Sequence, residues 1–117
     1  MERRSRLSRS RDFDAVYRHG RSASTRLLTV HWFARPDDET GEPRLGLAIP
    51  RGVGSSVTRN RLKRQLREIW SSLATEVPPA RDFVLVARPG LAEPAEARGH
   101  DWIVEQVREA IGKVTAA

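Results

Sequence analysis

The sequence has no cysteine. This excludes disulfides, zinc–thiolate centres and a thiol nucleophile, and it fits a reducing cytoplasm. It has almost no lysine either: of 21 basic residues only Lys63 and Lys113 are lysine. Arginine pairs bidentately with phosphate and stacks on bases, which lysine does not do, although GC-rich codons also favour it. No apolar run approaches the roughly 20 residues of a membrane span. The N-terminal stretch MERRSRLSRSRDF lacks the apolar segment of a signal peptide. No internal repeat or long low-complexity segment interrupts the chain.

What is present is positive charge. In 117 residues the net charge is +6 and the isoelectric point is near 11.1. That length makes one domain with one modest core. The charge points to nucleic acid or an anionic surface.

The pattern along the chain predicts α+β architecture in the order α-β-β-α-β-α, with a further short strand near residues 21–25. Residues 1–7 read as a loose basic arm. SRSRDFDAVYRHG reads as a short helix capped by Ser8 or Ser10, with Phe13, Val16 and Tyr17 on one face and Gly20 as its stop. STRLLTVHWFAR alternates: Leu28, Val30, Trp32 and Ala34 point one way, and Leu27, Thr29, His31 and Phe33 the other. PDDETGEP, residues 36–43, reads as a hairpin loop returning the chain along RLGLAI, residues 44–49, as the partner strand. Gly46 leaves bare backbone on one face of that strand.

Ser55 or Ser56 caps a helix reaching about Leu73, beyond which Pro78 and Pro79 forbid continuation. DFVLVAR, residues 82–88, is a near-continuous apolar run and hence a buried central strand. PGLAEPAEARG reads as a loop. A last helix then starts near Asp101 and carries Ile103, Val107, Ala110, Ile111 and Val114 at helical spacing. The helix 57–73 leaves room for a parallel crossover between its flanking strands. The expected fold is a small mixed sheet with helices packed on one face.

The stretch TRNRLKRQLR, residues 58–67, holds Arg59, Arg61, Lys63, Arg64 and Arg67 with no acid among them. On a helical wheel of about 100° per residue, Leu62, Leu66, Ile69, Trp70 and Leu73 form a core stripe. Asn60, Lys63, Arg64 and Arg67 form the opposite stripe, with Arg61 on a flank and Arg59 near the helix start. Solvated helical faces usually mix charge signs, and this one does not. Lys63 and Arg67 repel at i, i+4 by roughly 0.2–0.5 kcal/mol. Cations in the first turn oppose the helix dipole by about 0.3–1 kcal/mol. An anionic partner relieves both, and free N–H groups at the helix start favour phosphate.

Other chemistries fare worse. The three histidines, His19, His31 and His100, fall on a helix end, a strand and a loop, so no pair converges on one phosphate. Asp37, Asp38 and Glu39 lie in a Pro/Gly loop, where turn formation explains them better than a metal does. No catalytic or metal-ligating residue is assigned. A helix-turn-helix reader of DNA needs an adjoining helix, and strands flank this one. The apolar stripe belongs to the core, which leaves no face for a membrane.

RNRLKRQLRE resembles the signature of the bacterial ribonuclease P protein subunit family. So do RLSRSRDFDAVYRHGRS, RLGLAIPRGVGSSVTRNRLKR and DFVLVARPG, together spanning about residues 7–111. The resemblance implies a ribosomal-protein-S5-domain-2-like fold with a left-handed βαβ crossover, where general rules favour the right-handed form. It also implies a role. The RNA subunit, with magnesium that it holds itself, removes the 5′ leader of precursor tRNA; the protein does not cut.

By the same resemblance the chain is a single RNA-binding domain, monomeric within the holoenzyme, whose partners are the catalytic RNA and precursor tRNA. Arg59, Asn60, Arg61, Lys63, Arg64 and Arg67 match the positions that dock on the catalytic RNA. Phe13 and Tyr17 match the paired aromatics of a leader cleft between the first helix and the open sheet face. An aromatic ring stacks a base without demanding a sequence, although either ring can instead be core. His31 stands where the family usually has a cleft tyrosine. Arg51 followed by Gly52 stands where it commonly has two lysines. The alternative is a ribosomal or generic RNA-binding protein with no processing role, which explains the charge but not the long match.

Overall fold

The computed structural model describes residues 6–35 and 41–116. Helix α1 spans Ser10–His19, strand β1 Arg21–Ser24, β2 Leu28–Ala34 and β3 Arg44–Ala48; helix α2 spans Ser56–Ser72, strand β4 Arg81–Ala87, helix α3 Ala92–Arg98 and helix α4 His100–Thr115. Short 3-10 turns at Arg51–Val53 and Ala74–Glu76 bracket α2. None of the described helices is long and apolar enough to cross a membrane. Asp37, Asp38 and Glu39 lie outside the described residues.

The strands form one mixed sheet in the order β1-β2-β4-β3. β1 pairs antiparallel with β2, and β2 antiparallel with β4. β3 and β4 run parallel, so α2 is the crossover between them. The short strand expected near residues 21–25 is β1. The expected β2–β3 hairpin does not form, because β4 lies between the two strands. The composition of β4 explains this: Phe83, Leu85 and Ala87 on one face and Asp82 and Val84 on the other are all buried. A strand buried on both faces needs a covered, central place.

On one face the alternation in β2 delivers Leu28, Val30 and Trp32 into the main core beside Leu45, Phe83 and Leu85. The helical stripe Leu62, Leu66, Ile69, Trp70 and Leu73 covers them from α2, and Ile103, Val107, Ala110, Ile111 and Val114 from α4. The Trp70 and Phe83 rings meet at 5.2 Å between centroids, tilted by 58°. Ser55, not Ser56, caps α2, its Oγ accepting from the Thr58 N–H at 3.2 Å.

Helix α1 lies on the opposite face of the sheet from α2 and α4. Its Val16 is buried with Val84 and Leu7, and Phe13, Phe33, Ala48 and Val86 pack around them. Neither Ser8 nor Ser10 caps α1: Arg9 occupies that position and makes no side-chain capping bond. Part of the segment expected to be a loose arm is docked. The Leu7 N–H donates to the Leu45 carbonyl at 2.9 Å, Arg6 bridges to Leu45, and Leu7 is buried. The stretch expected to be a loop contains α3. Pro94 sits in the first turn of α3, where its missing N–H breaks no helical bond. Helix α4 begins at His100, beside Asp101 as expected.

Candidate nucleic-acid interface

Two surfaces meet the chemistry expected of a polyanion site. The first is the outer face of α2. With Leu62, Leu66, Ile69 and Trp70 turned inward, Asn60 and Arg64 are exposed and Lys63 and Arg67 half-buried. These four, with Arg6 and Glu68, line a groove of about 340 Å³. Burial first, and the Arg6 charge second, push Arg67 below the ordinary arginine value. A bound anion relieves that repulsion.

The remaining two arginines of the stretch diverge. Arg59 donates its Nε to the Gly54 carbonyl at 3.1 Å and is half-buried, so it braces the connector that leads into α2. Arg61 turns toward α3, where it lines a narrower groove with Ala92, Ala95 and Glu96. The first turn of α2 contains no acid, and its amide dipoles add positive potential at that end.

The second surface is the cleft beside α1. Gly46 is the key to its floor: a Cβ there would stand 2.5 Å from Phe13 Cζ. Bare backbone at this point lets the tip of the half-buried Phe13 ring approach β3 closely. One turn on, Tyr17 stays 46% exposed and meets His31 edge-on at 4.9 Å and 77°. Phe13 is thus the packing ring and Tyr17 the available one. Partial burial lowers the His31 pKa and raises that of Tyr17. Beyond the rings, Thr29, Val86 and Ala48 are in register on three strands and only half-buried. The Ser24 and Thr29 hydroxyls lie 3.1 Å apart on the same face. Arg51 is exposed in the 3-10 turn that follows β3.

Arg6 escapes sequence reading, because only its pairing with β3 brings it beside Arg67. Among the described residues no group of three His, Asp or Glu side chains is placed to hold a metal. The buried carboxylate of Asp82 is engaged by two guanidiniums, of Arg35 and Arg44.

Sheet, crossover helix and cleft define a small basic α+β domain with an arginine-rich helix on one side and an aromatic-edged cleft on the other. The same fold occurs in the RNase P protein from Thermotoga maritima, with a TM-score of 0.82, 27% identity, and coverage of 92% of this chain and 96% of that one. The Ribonuclease P family model matches residues 1–114. The Ribonuclease P protein component of Mycobacterium avium (strain 104) is 37% identical over 97 residues, 81% of this chain and 82% of that protein. The one from Geobacillus thermodenitrificans is 31% identical over 112 residues, 96% of this chain and 91% of that protein. The chain belongs to the ribonuclease P protein family.

Proposed function

We propose that this protein is the protein component of a ribonuclease P holoenzyme, an endoribonuclease that matures the 5′ end of tRNA. The catalytic RNA hydrolyses the phosphodiester; the protein binds that RNA and the single-stranded leader of the precursor. The observation that carries this reading is the family match over residues 1–114, joined to a single-signed stripe on an otherwise well-packed helix.

Asn60, Lys63, Arg64 and Arg67 contact phosphates of the catalytic RNA, assisted by Arg61. Arg59 acts by holding the connector to α2 in place. The leader lies beside α1, with a base against Tyr17 and the His31 edge below it, Phe13 forming the wall and Arg51 meeting a phosphate. Stacking of this kind contributes roughly 1–3 kcal/mol per base and is tolerant of sequence. Magnesium stays with the RNA. The protein acts as one copy in the cytoplasm.

Reconstitution tests this. Added to a bacterial ribonuclease P RNA at low magnesium, the protein restores 5′ maturation of precursor tRNA. Alone, free of nucleic acid, it leaves the precursor intact. Absence of any stimulation would favour a generic RNA-binding role, and metal-dependent cutting by the purified protein would overturn the division of labour.

A further inference from the structure

A groove of about 670 Å³ lies apart from both surfaces described above, within the roughly 300–1,000 Å³ typical of ligand sites. Four segments build it: Arg26 and Leu27 from the β1–β2 turn, Arg88 just after β4, Pro94 and Arg98 from α3, and Trp102 from α4. The three arginines are exposed, while Leu27 and Trp102 are half-buried against the main core. No carboxylate lines the groove among the described residues. The Arg88 Nη1 donates to the Thr25 carbonyl at 3.2 Å, which orients that guanidinium before any ligand arrives.

Its place in the fold matters as much as its composition. Leu28 is in register with Ala87, and Ala48 with Val86. The β1–β2 turn, the segment after β4 and the approach to α2 therefore share one end of the sheet. On α3, Ala92, Ala95 and Glu96 face the Arg61 side of α2, whereas Pro94 and Arg98 face the groove. The basic helix start and the groove are thus flanks of one basic end, with α3 between them. Leu27 and Trp102 pack on the α2/α4 core, across the sheet from the Tyr17–His31 cleft.

Guanidiniums from three segments converging without an acid repel one another, and among the described residues no partner compensates at Arg26 or Arg98 that would make the cluster a stabilising device. An apolar floor ending in an indole, rimmed by guanidiniums, suits a nucleotide: a base on the ring and phosphates on the rim. We propose that this groove is a second RNA-binding site that takes an unpaired nucleotide of the catalytic RNA, with the base against Trp102 and flanking phosphates on Arg26 and Arg98. Its position beside the α2 start selects the catalytic RNA over the leader. The inference rests on the functional reading above.

The test is direct binding of the full-length protein to ribonuclease P RNA alone, with no precursor present, across a salt series. The double variant Arg26→Ala, Arg98→Ala binds about tenfold more weakly, and its log–log salt slope is shallower by about 1.4, two phosphates of a single strand. Arg26→Lys, Arg98→Lys restores the slope. The preference of the holoenzyme for precursor tRNA with a leader over leaderless tRNA is unchanged in the alanine variant. Unchanged RNA binding would overturn the site, as would a loss confined to leader discrimination. Arg64→Ala, Arg67→Ala is the companion: if it weakens RNA binding while the groove variant does not, the groove fails and the functional reading stands. If neither variant weakens binding, both fail.

Discussion

Arg44 holds Asp82 with both arms of its guanidinium, Nε donating to Oδ1 at 2.7 Å and Nη2 to Oδ2 at 2.7 Å. Arg35 adds a bond from Nη1 to Oδ1 at 2.8 Å. One buried carboxylate thereby ties the start of β3 to β4 and to the residue after β2. The Arg44 Nη2 also lies 3.9 Å from Asp12 Oδ1, which extends the network to α1.

Removing that carboxylate is costly. Asp82→Ala leaves two guanidiniums facing a site built for a negative charge. Breaking a buried pair in this way typically costs about 3–5 kcal/mol. The lower end is expected, because the Arg35 and Arg44 side chains keep 15% and 31% of their exposure. Urea unfolding measures it, and a loss below about 1 kcal/mol would show that the network contributes little to stability.

Gly46→Ala tests the floor of the cleft. The new methyl would stand 2.5 Å from Phe13 Cζ and 3.1 Å from Leu7 Cβ. The Phe13 ring must move. Overpacking of this kind costs about 1–3 kcal/mol. Phe13→Leu in the same chain removes the ring and recovers part of the loss. Full stability in Gly46→Ala alone would mean that α1 is not held by this contact.

The two faces of α2 and the burial of β4 are legible in the sequence because each depends only on periodicity: every residue of the stripe from Leu62 to Leu73 is buried. Strand pairing is not legible, because turn residues between β2 and β3 look the same whether or not a third strand comes between the two. Helix α3 is hidden by composition, since Pro89, Gly90 and Pro94 read as loop until Pro94 is seen to occupy a first turn. In the candidate site, the wheel separates Asn60, Lys63, Arg64 and Arg67 from the core. It has no means of bringing in Arg6, whose position depends on the neighbouring Leu7 N–H donating to the Leu45 carbonyl. Parity places His31 on the cleft face, but only the packing of α1 shows Tyr17 meeting it.

His31 should make stability sensitive to acid. Burial lowers its folded-state pKa below the ordinary 6.5, so the unfolded chain takes up the proton more readily. Its neutral form is fully stabilising above that ordinary value, and the contribution is lost as pH falls from there through the lowered folded value. His31→Gln removes this component, so between pH 7.5 and 5 the variant should lose less stability than the parent chain. The comparison is between urea midpoints at each pH. An identical acid dependence in the two chains would rule out His31 as a contributor.

Arg64 and Arg67 provide the electrostatic test of the first surface. Each phosphate neutralised adds about −0.7 to −0.9 to the slope of log affinity against log salt. Arg64→Ala, Arg67→Ala should therefore make the slope for ribonuclease P RNA shallower by about 1.4 to 1.8. The fold should survive, because both side chains lie across α2 from the buried stripe. Arg67→Ala alone also removes the repulsion with Arg6, so the free protein should be no less stable without it, although its RNA affinity falls. Arg6→Ala should remove a further slope increment of about one phosphate if the docked N-terminal segment belongs to the same site. A slope unmoved by all three substitutions would mean that the groove between Arg6 and α2 meets no phosphate. A slope that moves only with Arg64 would confine the contact to the exposed crest of the helix.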